Sequence, residues 1–451
     1  MQFKSTLFLK SAAILFASLS VLAGCQSIPE IADQSKVMQN TIAYDQQLTN
    51  GASPETLDGA AKLRSQMLLT ELEAVHYALN NNAAFKSLLI DLKIAKADLV
   101  NAGLLPNPEF LFSFGVTNKP YRYAIDLPLE ALWLRPIRIR SMKSEADAIT
   151  YKLTQSGLNL IKDVRVAYAQ SVLAQERLSV ADTSSQLRAR IYTLSIKRLE
   201  AGDLNGKDIL IAKNDAVIAQ RDWELAQYDV KIKQEILLNL LGASQKHRNI
   251  TLSSNVIPAC QDEEIDKLLS TALTQRPDLI AAQFSIDSAK EKIKLSNLNW
   301  LKLTATADAT SGQNNGHTLG PSVRTTLPIL NQNQGAVSRA EAELERAELN
   351  LEVLKQQAIL EIRTSYLQYQ QSCHDWNVLQ EKLMPSIQQM IQLTEQAYQE
   401  GDISYLQTLE ANRQFVDIQM RQVQLKADLI SKQAEITRNL SQKAKGNLNE
   451  S

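Results

Sequence analysis

LRPIRIRSMKSEADAITYKLTQSGLNLIKDVRVAYAQSVLAQERLSVADTSSQLRARIYTLSIKRLE, residues 134–200, decides the fold. It holds no proline after Pro136 and one glycine, Gly157. A seam of small and apolar residues runs down it through Ala146, Leu153, Leu160, Val164, Ala167, Ser171, Ala174, Leu178 and Ala181. Steps of seven, then alternating four and three, belong to a coiled coil. As one helix this stretch is ~100 Å long. A short turn, Gly202-Asp203-Leu204-Asn205-Gly206, leads into a return run with Ala212, Ala216, Ala219, Trp223, Ala226, Val230 and Leu237 on its seam. Alanine and serine at seam positions let helices approach closely. A helix of this length cannot fold back into one small globule, so the hairpin 134–241 implies an elongated object.

The chain holds this object twice. Val164-Arg165-Val166-Ala167-Tyr168 is echoed by Ile362-Arg363-Thr364-Ser365-Tyr366, and Glu200-Ala201-Gly202-Asp203 by Gln399-Glu400-Gly401-Asp402. Asp126-Leu127-Pro128-Leu129 is echoed by Thr326-Leu327-Pro328-Ile329, and Ala95-Lys96 by Ala289-Lys290. A period of about 200 residues marks a duplicated half rather than a short solenoid repeat.

Composition agrees. The 451 residues include only 15 glycines and 12 prolines, about half the usual share, which favours long helices over turn-rich sheets. The net charge is −1 and no basic stripe occurs, so nucleic acid is not an expected partner.

Lys4 and Lys10 flank a positive start, and Ser11 to Leu22 forms an apolar core too short for a stable membrane anchor. It ends in Leu22-Ala23-Gly24-Cys25, which resembles the bacterial lipobox. That resemblance implies cleavage of a signal peptide, 1–24, before Cys25, lipidation of its thiol, and, with Gln26 following, passage to the outer membrane. No other stretch has the apolar length of a membrane helix, so any crossing must be made by strands. Cys260 and Cys373 remain. An oxidising compartment permits their disulfide, but nothing in the spacing demands it, and two unpaired buried thiols are the expectation.

Residues 25–59 are polar and aperiodic and read as a lipid-anchored tether. A first repeat, 60–247, follows. Leu68 to Asn101 is helical with a break near Asn80-Asn81-Asn82, and Gly103 to Pro108 stops it. Strands are expected at 109–116, where Phe110, Phe112, Phe114 and Val116 share a face, and at 122–129, where Tyr123, Ile125, Leu127 and Leu129 do. A second repeat, 248–442, opens on an irregular connection through Asp262, then helices at 265–275 and 277–300. Strands are expected at 303–310 and 319–327, and a second long hairpin at 331–440, its seam running through Ala340, Leu344, Ala347, Leu351, Leu354 and Ala358, then Leu409, Val416, Met420, Val423, Ala427 and Ile430. The tail 443–451 is polar.

Four strands of this length suit a transmembrane barrel wall but cannot close one, since the smallest membrane barrels need about eight. Open edges are not tolerated in lipid, so several chains must share one barrel. The other reading of the same alternation is a small soluble β-layer.

The order helix, Leu-Pro-Asn-Pro, two strands, long hairpin, then the same again, resembles the TolC-type outer membrane efflux proteins, as does Leu327-Pro328-Ile329-Leu330-Asn331-Gln332-Asn333-Gln334-Gly335. The resemblance covers about Leu57 to Gln442, and the lipobox fits the lipid-anchored branch of that family. It implies a mainly α chain with duplicated long helical hairpins plus four strands. Three such chains would form a trimeric α/β barrel-tunnel with a small membrane β-barrel of twelve strands. It also implies outer membrane lipid around the barrel, a periplasmic adaptor and an inner-membrane pump as partners, and the role of exit duct of a tripartite efflux system for small molecules or metal ions. At the tips, Arg198-Leu199-Glu200-Ala201-Gly202 and Ala397-Tyr398-Gln399-Glu400-Gly401 resemble the family's adaptor-docking turns, which assigns docking to Arg198, Leu199, Gly202, Tyr398 and Gly401. The family's acidic periplasmic gate maps onto Gln407 and Glu410, and its partners onto Asp208 and Tyr398, but Ile403 stands at the position of its arginine. A ring of Glu410 carboxylates would repel one another and attract cations.

No catalytic constellation is present. His76, His247, His317 and His374 lack metal-ligand spacing, Gly202 to Asp208 fails as a phosphate loop, and no nucleophile elbow occurs. No enzyme activity, cofactor or metal site is expected. Two alternatives stay open: a type I protein-secretion channel, and a periplasmic adaptor lipoprotein, which pairs a lipobox with one hairpin and a β-rich domain.

Overall fold

The computed structural model describes residues 30, 32–44, 68–114, 121–202, 205–243, 250–253, 260, 264–312, 316–400 and 402–441. In chain order the elements are α1 (Gln34–Ala43), β1 (Leu68–Leu69), α2 (Glu71–Asn81), α3 (Ala83–Gly103), β2 (Glu109–Ser113), β3 (Arg122–Pro128), α4 (Glu130–Glu200), α5 (Gly206–Leu241), β4 (Thr251–Leu252), α6 (Ile265–Gln275), α7 (Pro277–Leu298), β5 (Leu303–Gly312), β6 (Gly316–Thr325), α8 (Gln334–Val378), a π-helical turn (Leu379–Leu383), α9 (Met384–Glu400) and α10 (Tyr405–Leu440). They fall into two compact units, each drawing on both halves of the sequence.

The first unit comprises Met1–Asp33, Asp91–Thr150 and Ala281–Leu351. Its sheet is antiparallel in the order β2-β3-β5-β6. The two sequence halves join where β3 pairs with β5, and Leu129 N–H donates to the Leu303 carbonyl at 2.7 Å just beyond the ladder. Helical segments pack beside it through contacts between halves: Arg140 Nε to Glu291 Oε2 at 3.0 Å, Lys292 Nζ to Glu145 Oε2 at 2.9 Å, and Ser141 against the buried Ser288.

The second unit comprises Gln34–Ile90, Tyr151–Ile280 and Glu352–Ser451. The seam expected in α4 is its core: Leu153, Val164, Ala167, Ser171, Ala174 and Ala181 are buried, with Leu178 half-buried. Ala169 and Leu173 of α4 meet Val423, Ala427 and Ile430 of α10. Asn82 breaks the α2–α3 run as the asparagine cluster predicts. Its side-chain oxygen caps Phe85 N–H at 2.9 Å while its amide donates to the Leu240 carbonyl at 2.8 Å.

Several expectations need correction. The tether contains α1, whose buried Val37 and Thr41 press on α4 at Gly157. A Cβ at Gly157 would lie 2.6 Å from Thr41 Cγ2, so only glycine lets the two helices touch there. The connection after Ala243 includes β4, which pairs in parallel with β1. The buried Tyr168 hydroxyl holds that pair together, donating to the Leu69 carbonyl at 2.7 Å beside the Ser253 carbonyl at 3.0 Å. The expected unbroken helix 331–400 is three elements, α8, the π turn and α9. Cys260 and Cys373 are not free thiols. They form a disulfide, with Cα atoms 5.9 Å apart. Strand ends also shift: β2 stops at Ser113, β5 runs on to Gly312, and β6 starts at Gly316 and ends at Thr325.

Candidate functional site

Register turns the four strands into one surface with two chemistries. Phe112 pairs with Tyr123, Tyr123 with Ala309 and Ala309 with Leu319. Two residues along, Phe110, Ile125, Ala307 and Pro321 form the next row, and Leu127, Ala305 and Val323 the row after it. Alternation puts all of these on one face, where Phe110, Ile125, Leu319 and Val323 are exposed. Phe112 packs edge-on against Phe114 at 4.5 Å and against Tyr123 at 5.0 Å. The other face carries Glu109, Arg122, Asp126, Thr304, Thr306, Asp308, Ser322 and Arg324. Arg122 binds Asp308 through two nitrogens at 2.6 and 2.9 Å. Asp126 accepts from Thr306 at 2.5 Å and from Arg324 at 3.4 Å, which offsets the like charge of Glu109 directly across the ladder. The outer strands β2 and β6 each have one unpaired edge. Among the described residues no helix is long and apolar enough to cross a membrane.

The hairpin turns are the second candidate. Arg198 and Leu199 lie in the last turn of α4, and Gly202 closes it with φ +85°, a conformation that strains any residue with a Cβ. Asn205 caps α5 by accepting from Lys207 and Asp208 N–H at 3.0 and 2.9 Å, so Asp208 sits at the positive end of that helix. Tyr398 lies in α9; its side chain, like Gly401 and Cys25, is outside the described residues. Gln407 plays a structural part. With Ser404 it forms the capping box of α10, its Oε1 accepting from Ser404 N–H at 3.0 Å. Glu410 is exposed and accepts from Gln414 at 3.2 Å. Among the described residues no hydrogen bond or ion pair joins Asp208, Gln407 and Glu410. The contact between hairpins at this end is made by residues that no sequence motif singles out. Leu409 packs on Ala212 with Ile191, Tyr192 and Ile211, and the buried Asp215 faces Arg413 at 3.8 Å. The one signal for them is an acid placed in the small-residue seam between Ala212 and Ala219.

A polar cavity of about 630 Å³ lies in the second unit, lined in part by Asn159, Lys162, Glu361, Ser365, Glu435 and Arg438. Its charges answer one another. Glu361 Oε2 takes Arg438 at 2.9 Å and the buried Arg276 at 3.0 Å, and Arg438 also donates to Asn159 at 2.7 Å. Burial pushes the Glu361 carboxyl up, but the two guanidiniums outweigh it and hold the group below its ordinary range. No unbalanced charge is left there to recruit a ligand. Among the described residues no group of three or more His, Cys, Asp or Glu could hold a metal ion.

Comparison with known proteins places this geometry. The family described as "Outer membrane efflux protein" matches residues 268–441. "Cation efflux system protein CusC" of Escherichia coli (strain K12) is 26% identical over 300 residues, covering 61% of this chain and 63% of that protein. The match thus spans less than two thirds of that relative's length. "Probable outer membrane lipoprotein SilC" of Salmonella typhimurium is 23% identical over 366 residues, covering 74% and 78%. The crystal structure of the Campylobacter jejuni CmeC outer membrane channel superposes with a TM-score of 0.72 at 17% identity, covering 82% of this chain and 85% of that one. Sequence family, relatives and fold agree: the chain belongs to the outer membrane efflux protein family.

Proposed function

We propose that this chain is the outer-membrane exit duct of a tripartite efflux system, a passive channel with its strands in lipid and its helices in the periplasm. The observation that carries this reading is the sheet: apolar on one face, charged on the other, and open at both edges. A lipid-facing wall needs the first face and an aqueous lumen the second, and the open edges need further strands. Three copies supply twelve strands.

A homotrimer also fits two unpartnered stripes. On α5, Leu210, Val217, Leu225, Tyr228, Ile232 and Ile236 are exposed, and on α8, Leu349, Val353, Leu360 and Leu367 are exposed at steps of four and seven. Such seams want a second helix. The lipobox and the likeness to a probable lipoprotein support acylation at Cys25. Arg198, Leu199, Gly202, Tyr398 and Gly401 then face the adaptor, and Asp208 and Glu410 lie near the periplasmic entrance, with Gln407 holding the helix start. The two sequence repeats, 60–247 and 248–442, are the units that each chain adds twice. The pump supplies the energy. CusC is named for cation efflux, so metal ions are the first substrate class to assay, small organic toxins the second; a type I protein-secretion role predicts instead the loss of a secreted protein.

Membrane fractionation decides the reading. The duct predicts outer-membrane recovery, lost from that membrane in Cys25→Ser if the lipid is required for sorting, and a band whose migration changes on heating as the oligomer dissociates. Recovery with the inner membrane would overturn it in favour of an adaptor.

A further inference from the structure

We propose that the π-helical turn Leu379–Leu383 is a hinge, and that α9 swings about it as one arm while α10 stays docked on the first hairpin. Four observations within the second unit converge on this.

The first is the turn itself. Met384 N–H donates five residues back to the Leu379 carbonyl rather than four. The next residue is Pro385, which has no N–H to donate and whose ring would strike the carbonyl of Glu381 in regular α geometry. Widening the turn moves that carbonyl aside and leaves the ladder one donor short. Helix ladders bend at such places.

The second is the anchoring above the turn. The Cys260–Cys373 disulfide fixes α8 two turns before it, and Cys373 belongs to a cluster with Tyr369 and the fully buried Leu429, flanked by Trp376 and Ile436. Leu379, at the start of the turn, is itself 1% exposed.

The third is the contrast below it. None of the described side chains of α9 is buried. An element with so few buried contacts opens at low cost.

The fourth is that the partner helix is held independently. Thr408, Leu409, Ala411 and Asn412 of α10 are buried, Leu409 on Ala212 of α5, and Arg413 faces Asp215. The arm can therefore move without carrying α10 along.

At 17 residues, α9 is ~25 Å long. A pivot of about 20° moves its far end by ~9 Å. Double electron–electron resonance tests this on the full chain with its native disulfide intact, nitroxides on introduced cysteines, and labelled protein diluted with unlabelled. Asp222→Cys on α5 is the common reference. Paired with Glu395→Cys on α9 it should give two distances or one broad distribution. Paired with Asp417→Cys on α10, or with Gln371→Cys on α8 above the turn, it should give a single narrow one. Pro385→Ala, which restores the missing donor at an exposed position, should collapse the α9 distribution to one narrow distance. A narrow α9 distance in the unaltered chain, an α10 distance that broadens together with that of α9, or a distribution untouched by Pro385→Ala would each overturn the hinge. These distances do not depend on the duct reading. On that reading alone, Pro385→Ala should also reduce the open fraction in bilayer recordings. Absence of any conductance would count against the duct and leave the distances standing.

Discussion

The two hairpins carry the same motif and use it differently. Val164 and Ile362 are both buried, as are Ala167 and Ser365, so the seam is common to both. One residue along from the first pair the copies part. Arg165 is 4% exposed and held by Glu71 at 3.1 Å, whereas its echo Arg363 is exposed. The second hairpin takes its buried guanidinium from Arg276, ahead of α7, bound to Asp278 and Glu361. Tyr168 pins the β1–β4 pair, while its echo Tyr366 accepts from Gln370 on its own helix. The first hairpin's outgoing helix runs unbroken for 71 residues; the second breaks at the π turn and is stapled by a disulfide above it. Duplication preserved the seam and freed the rest. The first copy became a continuous, buried scaffold, and the second an arm held at its root.

The largest predicted difference lies in the staple. Its ends are 113 residues apart, and closing a loop of that size stabilises by up to about 4 to 5 kcal/mol in the chain-entropy view. Cys373→Ser should therefore lower the unfolding midpoint strongly, and hydrogen exchange should rise in α8 and α10 more than in α4. Equal loss in both hairpins would break the comparison.

Next comes Gly157. Gly157→Val must displace Thr41 and should cost about 1–3 kcal/mol as an overpacked contact, releasing α1 to proteolysis. Lys355, the corresponding position in the second hairpin, is exposed, and Lys355→Val should stay within about 0.5 kcal/mol. The tyrosines follow. Tyr168→Phe leaves buried carbonyls at Leu69 and Ser253 without their donor and should cost about 1–3 kcal/mol, whereas Tyr366→Phe should cost less. Thermal melting of the paired variants in detergent checks both contrasts.

The smallest effect is electrostatic. The Glu361 carboxyl is held below its ordinary range, so the stability it contributes is present above the usual carboxylate pKa. It is lost as pH falls through the depressed folded value. Glu361→Gln should flatten the acid limb of the stability profile. Asp163, one residue ahead of Val164 as Glu361 is of Ile362, pairs only with neighbouring Lys162 near solvent. Asp163→Asn should change stability by no more than about 1 kcal/mol.

What could be read in advance followed the length of the pattern. The seams of α4 and α10 repeat over many turns, and their phase predicts the buried residues from Ala146 to Ala181 and from Leu409 to Ile430. The strands alternate over enough positions to separate Phe112 from Arg122. Short elements hide. α1 buries only Val37 and Thr41, too few for a period, and β1 and β4 are two residues each. Their existence depends on Tyr168, far away in the chain. The π turn was signalled by Pro385 alone, and Pro136 shows that a proline two turns into a helix can leave it continuous. At the hairpin ends, Gln407 looks like a lumen-facing residue until its cap to Ser404 is seen. Asp215 was legible only as a misplaced charge in an alanine seam.

Native mass spectrometry of the protein extracted from outer membranes is the most direct test of whether identical chains complete one wall. Three chains per particle, held together until the detergent is stripped and the sample heated, is the predicted result. A single chain that stays monodisperse in water with no detergent would contradict it, because the aromatic face of the sheet and both of its open edges would then have no partner.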